Sequence, residues 1–136
     1  MRLVPIPRGS IEESVGVWLP FLQSIADHSG YTDEQLLDRI ASGEVQPIVI
    51  WDEQAKEARA FGGMRLYDRG KDRIAEVIWM TGSGKDTWTH LIGDFENYAR
   101  SLGCAGVRMF ARRGWKPFFH ARGYRETHVI LDRELN

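Results

Sequence analysis

Ile74-Ala75-Glu76-Val77-Ile78-Trp79-Met80-Thr81-Gly82-Ser83-Gly84 is the stretch on which the fold of this chain turns. Over residues 74–80 both alternating faces are apolar except at Glu76, the pattern of a central strand covered by helices above and below. Gly82 and Gly84 break that pattern. Trp88, Leu91, Ile92, Phe95, Ala99 and Leu102 then recur at helical spacing as far as Gly103. Val107-Arg108-Met109-Phe110-Ala111 follows as another strand, so the middle of the chain reads as a β-α-β crossover.

Upstream, Pro47-Ile48-Val49-Ile50-Trp51 and residues 58–67 are two β-rich runs joined by a polar turn, which predicts a hairpin. Gly62-Gly63 inside the second run predicts a bulge or a close backbone approach. Asp68-Arg69-Gly70-Lys71-Asp72 is the next turn, and it leads into residue 74. Nearer the start, Leu3-Val4-Pro5-Ile6-Pro7 fits nothing more than an edge strand, because proline lacks the donor an inner strand needs. Ser10-x-x-Glu13 and Thr32-x-x-Gln35 are capping boxes. The first opens a helix carrying Val15, Trp18, Leu19, Leu22 and Ile25, with Pro20 inside. The second opens a shorter helix carrying Leu36, Leu37 and Ile40. Downstream, residues 115–121 predict a short helix despite Pro117, and residues 125–131 a final strand.

The length of 136 residues fits one domain spanning residues 1–136. With 43% hydrophobic and 27% charged residues the chain has the makeup of a globular protein, which excludes disorder and fibrous repeats. No apolar run approaches the roughly 18 residues of a membrane span, and residues 1–10 have no signal-peptide core, so the expectation is a cytoplasmic protein. The one cysteine, Cys104, has no partner for an internal disulfide and sits between Gly103 and Ala105, the setting of a small buried side chain. The formal charge of −1 conceals an asymmetry: residues 100–125 hold seven arginines and lysines and no Asp or Glu. A cationic stretch of this kind suits a phosphorylated cofactor or nucleic acid, and equally a solvated face.

The element order β-α-α-β-β-β-α-β-α-β, with its meander and crossover, resembles the GNAT family of acetyl-CoA-dependent N-acetyltransferases. Residues 111–124 carry the closest likeness: Ala111-Arg112-Arg113-Gly114-Trp115, then Phe118-Phe119-His120-Ala121-Arg122-Gly123-Tyr124. In the family, a helix of the form aromatic-x-x-x-Gly-aromatic leads into the next strand. The Arg-Arg-Gly-Trp element also resembles small GNAT-like proteins of phages and prophages. The resemblance implies an α/β fold with a mixed, mostly antiparallel central sheet and helices on both faces. It implies acetyl-CoA as cofactor, an amine of a small molecule or protein as acceptor, and a homodimer.

In the family, acetyl-CoA lies where two parallel strands splay apart, its pyrophosphate held by amides at a helix start. The physics of such a site is general: a helix N-terminus offers unpaired N–H groups and about half a positive charge. The matching residues are Met80, Thr81, Gly82, Ser83, Gly84, Lys85 and Thr87, with Arg112 and Phe119 as further cofactor contacts. The loop departs from the family pattern in lacking its arginine and in placing Asp86 beside the proposed phosphates. It is not a Walker loop either, since Asp86 follows Gly84-Lys85 where Ser or Thr belongs.

Acetyl transfer needs a base for the amine and an acid for the leaving thiolate. Glu76 is the candidate base, on the reading that it shares a strand face with Ile78 and Met80; its alternative is a salt bridge to an arginine. Phe119 stands where the family has its tyrosine acid, which leaves Tyr124 and His120 as proton carriers. His128 alternates within the expected last strand. No residue set has metal-ligand spacing, and no serine sits in a nucleophile elbow. Two other functions stay open: a GNAT-shaped binding or assembly protein without activity, and nucleic-acid contact through the basic third.

Overall fold

The computed structural model describes residues 1–135. Five strands form one sheet in the order β1-β2-β3-β4-β5, with β1 at Arg2–Pro5, β2 at Gln46–Asp52, β3 at Glu57–Arg69, β4 at Asp72–Gly82 and β5 at Gly106–Met109. The first four are antiparallel neighbours, and β5 alone lies parallel to its neighbour β4. The hairpin of β2 and β3 and the crossover are therefore both present. The mixed, mostly antiparallel sheet is the one expected.

Helices cover both faces, and the alternation of β2 shows how. Val49 points toward α1 (Ile11–Ser29) and α2 (Asp33–Ala41), where Trp18, Leu22, Leu36 and Ile40 meet Phe61 and Trp79. Trp18 and Phe61 stack with centroids 5.8 Å apart. Ile48 points to the opposite face and meets Phe95 and Ala99 of α4 (Ile92–Ser101). Full burial of one such aromatic or branched side chain is worth about 1.5–3 kcal/mol, so these two layers are what hold the sheet. The crossover between β4 and β5 is not one smooth helix. It runs as α3 (Lys85–Trp88), a tight turn at Thr89–Leu91, and then α4.

A bulge interrupts β4. Gly63 pairs with Trp79 and Met64 with Val77, which leaves Ile78 as an extra residue. A Cβ on Gly63 would sit 2.5 Å from the Trp79 ring, so only glycine allows the indole to lie across β3. The Gly62-Gly63 pair thus marks both a bulge and a close approach, with the extra residue on the partner strand. The bulge changes which side chains share a face. Ala75 and Val77 face α4, and beyond the bulge Met80 does so too. Glu76 consequently does not share a face with Met80, because one inserted residue inverts the alternation.

Two terminal expectations fail. Thr32 and Gln35 make both bonds of a capping box, at 3.1 and 2.9 Å, but the Ser10 side chain caps nothing. Ser10 closes a tight turn over Arg8–Ser10, and its φ of −108° and ψ of 9° are not the extended values a capping hydroxyl needs. Residues 125–131 form no strand. After α5 (Lys116–Ala121), Gly123 at φ +93° turns the chain, and no described strand lies alongside the segment to complete a ladder. Strand-forming residues without a neighbour remain unpaired, whatever their propensity.

Candidate functional site

Between β4 and β5 the sheet opens. Their pairing runs from Ile74 opposite Gly106 to Val77 opposite Met109, and the Phe110 N–H then donates to the Val77 carbonyl at 3.0 Å. Among the described residues β4 continues to Gly82 with β3 as its only neighbour, Met80 opposite Gly62 and Gly82 opposite Ala60. Residues 78–82 therefore have one edge without a strand beside it. The divergence begins at Ile78, the bulged residue, as expected where an extra residue sharpens the local twist.

The turn out of β4 is built mostly for its own packing. A Cβ on Gly82 would lie 2.5 Å from the Ala60 Cβ and 2.8 Å from the Arg59 carbonyl, so glycine is required by the neighbouring strand. The Ser83 N–H donates to the Arg59 carbonyl at 2.9 Å, which removes it from the set of free amides. Gly84 adopts the left-handed conformation at φ +65°. Its carbonyl accepts from both the N–H and the hydroxyl of Thr87, at 2.8 and 2.6 Å. The Trp88 indole N–H donates to the Ser83 carbonyl at 3.0 Å. What remains is the set of N–H groups of Gly84, Lys85 and Asp86, which have no backbone acceptor among the described residues. Lys85 holds its ammonium 5.0 Å over the Trp115 ring. The Thr81 hydroxyl is hydrogen-bonded to that of Ser24 at 3.0 Å, tying β4 to α1.

Glu76 is 2% exposed, and both its oxygens are taken: Arg65 Nε donates at 2.9 Å and Arg108 Nη1 at 3.2 Å. The three residues form a row across β3, β4 and β5. Arg108 also lies 5.3 Å from the Tyr67 ring. The carboxylate is thus in the ion pair that the sequence left as the alternative reading.

The aromatic residues draw together on the α4 face. Phe119, Trp88, Leu91, Ile92, Ile50 and Ala60 make one cluster, with Met80, Met109, Trp115 and Tyr124 against it. Phe119 is buried, its ring edge-on to Tyr124 at 5.1 Å. The Tyr124 hydroxyl donates to Glu96 at 2.8 Å, and Arg122 Nη2 donates to the same carboxylate at 2.8 Å. Burial, seconded by that bond to Glu96, pushes the Tyr124 phenol well up from its ordinary value. Glu96 is opposed by its own burial, yet the bonds from Tyr124 and Arg122 bring it below the usual carboxylate range. His120 and Arg112 are exposed. Burial also raises the Cys104 thiol, in keeping with an inert small side chain. A cavity of about 50 Å³ runs beneath the opening, walled by Met80, Val77, Met109, Trp88, Leu91 and Phe95.

The structure thus brings Met80 and Phe119 into one cluster, which Lys85 reaches over Trp115, while Thr81 turns its hydroxyl to α1 and His120 lies outside. Glu96 was not legible as a site residue, because its partners lie 26 and 28 positions away. Among the described residues no cluster of His, Cys, Asp and Glu could hold a metal, and no helix is long and apolar enough to cross a membrane.

No family model and no curated protein matches this sequence. Solved structures do match in shape. A structure described as a probable acetyltransferase superposes with a TM-score of 0.75 at 13% identity, covering 100% of this chain and 97% of its own. Glucosamine-6-phosphate N-acetyltransferase from Arabidopsis thaliana gives 0.66 at 14% identity over 99% and 98%. A Trypanosoma brucei acetyltransferase gives 0.67 at 13% over 98% and 99%. At such identities the likeness speaks for architecture alone: over the described residues the chain has a mixed α/β fold like that of these structures, as GNAT-like folds have.

Proposed function

We propose that this protein is an acyl-CoA-dependent N-acyltransferase that moves an acetyl group from acetyl-CoA to an amine. The observation that carries the reading is the unpaired edge of β4 over residues 78–82, which ends at the three free amides of residues 84–86. A pantetheine arm carries amides that can pair with a strand edge, and a diphosphate suits free N–H groups beside a lysine. Lys85, whose ammonium reaches no farther than Trp115, and the N–H groups of Gly84 and Lys85 would hold the phosphates. Met80 and Thr81 would flank the arm, and the methionine-lined cavity lies where an acyl group needs an apolar wall. Asp86 works against a phosphate at the same turn, so the cofactor's grip here rests on amides and Lys85.

When bound, the cofactor supplies an activated thioester. This chain's part is to position it, to exclude water with the aromatic cluster, and to handle two protons. Tyr124 would donate one only on leaving Glu96, since burial and that bond hold its proton more tightly than in an ordinary phenol. Glu76 would serve as base from within its ion pairs with Arg65 and Arg108. His120 is exposed and stands apart from the aromatic cluster.

The test is thermal denaturation with and without acetyl-CoA. Ligand at one hundred times its dissociation constant adds about 2.7 kcal/mol to stability and raises Tm accordingly. Gly84→Asp, which sets a carboxylate among the free amides, abolishes the rise. No rise at millimolar acetyl-CoA would overturn the proposal.

A further inference from the structure

The sheet carries a second hollow, away from the opening. β2 begins at Gln46 opposite Met64, whereas β3 runs on to Arg69, and among the described residues only β4 lies beside that extension. Ile6 and Arg8 after β1, residues 43–46 after α2, and residues 64–66 of β3 close around the gap and leave a cavity of about 490 Å³. Volumes of about 300–1,000 Å³ are those of small-molecule sites. Ile6, Ile40 and Val45 belong to the layer under α1 and α2, while the cavity beneath the opening lies on the α4 face. The two cavities share no lining residue.

The walls of this hollow are aliphatic, and its polar side chains are already bonded with one exception. Ile6, Ile11, Ile40, Val45 and Leu66 supply the apolar surface, and Leu66 is 46% exposed. Gln46 donates to the Ile6 carbonyl at 3.1 Å and accepts from the Tyr98 hydroxyl at 2.8 Å. Glu44 accepts from Arg39 at 2.8 Å, and Arg65 donates to Glu76 at 2.9 Å. Arg8 is the exception: among the described residues no carboxylate lies within ion-pair distance of it, Glu12 on the next turn included.

Arg8 is nonetheless held in place. Gly43 turns the chain at φ +84°, and a Cβ on it would meet Arg8 Cζ and Nη1 at 3.2 Å and Nε at 3.3 Å. Three nearly equal distances put the face of the guanidinium against the turn. Its N–H groups lie in its plane, so they point past the turn and not into it. A fork of donors beside an aliphatic hollow suits a single carboxylate on an aliphatic body. A dianion suits it less, because Glu44 stands on the same wall.

We propose that this hollow binds a small aliphatic carboxylate, with the carboxylate on the Arg8 guanidinium and the chain against Ile11, Ile40 and Leu66. The inference is independent of the acyl-transfer reading.

Octanoate is the probe, titrated at neutral pH into the isotope-labelled full chain and followed through amide chemical shifts. The expected result is a set of shifts at Gly43, Val45 and Leu66 that saturates below about 10 mM. Octanol and octylammonium, which share the chain, and acetate, which shares the carboxylate, each bind at least about tenfold more weakly. Arg8→Ala and Leu66→Ser each raise the octanoate dissociation constant at least about tenfold, and Arg8→Lys, which keeps the charge without the fork, recovers part of the loss. The comparison of the four probes on the unaltered chain decides the matter even if a variant fails to fold. No saturation below about 10 mM overturns the proposal, as does equal affinity for octanoate and octanol, which marks a merely apolar surface. Shifts that saturate at residues 78–86 instead place the probe in the opening and overturn it too, and so does an affinity indifferent to Arg8→Ala.

Discussion

Along residues 74–77, β4 has a strand on each side and holds Ala75 and Glu76 almost out of contact with water. Along residues 78–82 the same strand keeps β3 alone and ends in a turn with free amides. A single extra residue, Ile78, separates the two halves. The first half spends its polar capacity internally, with Glu76 bound by two guanidiniums. The second leaves backbone groups available to something other than the protein. The comparison teaches that a locked polar residue and an unpaired backbone edge can sit a few residues apart on one strand.

The strongest way to break this comparison is at Glu76. Glu76→Ala removes the anion between Arg65 and Arg108 and leaves Arg65 only Glu44, at 3.9 Å, and the loss of stability in urea is expected at about 3 kcal/mol. A loss below about 1 kcal/mol, the worth of an exposed pair, would mean that the first half of β4 is not locked by charge.

A smaller effect is expected where the second half begins its exit. Gly82→Ala pushes a Cβ to 2.5 Å from the Ala60 Cβ and costs about 2 kcal/mol by overpacking. Gly84→Ala meets only the Thr87 hydroxyl at 3.3 Å and costs about 1 kcal/mol for its left-handed backbone. Should Gly84→Ala prove the costlier of the two, the turn is anchored by its own conformation and not by β3.

The smallest effect concerns pH. Glu96 lies below its ordinary value in the folded chain, so its contribution is whole above the usual carboxylate pKa of about 4.3 and is lost as pH falls through the depressed native value. Tyr124 lies above its ordinary value, so its contribution is whole below about pH 10 and is lost as pH rises past it. In Tm profiles against pH, Glu96→Gln is expected to flatten the acidic limb, and Tyr124→Phe the alkaline one. Unchanged limbs would show that this pair does not brace the helices beside the opening.

Much of this was written in local patterns. The alternation of residues 74–80, the helical spacing from Trp88 to Leu102, and the Thr32-Gln35 capping box each specified an element within a few positions of itself. The glycines were legible as special, and Gly82, Gly84 and Gly63 are each required by a conformation or a close neighbour. Periodicity and capping depend on residues three or four apart, which a sequence displays directly.

What the tertiary structure alone decided depends on distant partners. Which carboxylate Arg65 and Arg108 would bind was settled by the register of β3, β4 and β5, and the face of Glu76 by an inserted residue that no propensity announces. Residues 125–131 have the composition of a strand and lack only a neighbour. Composition sets what a segment can become, but a ladder of hydrogen bonds takes two strands, and the second is chosen by the packing of the whole chain.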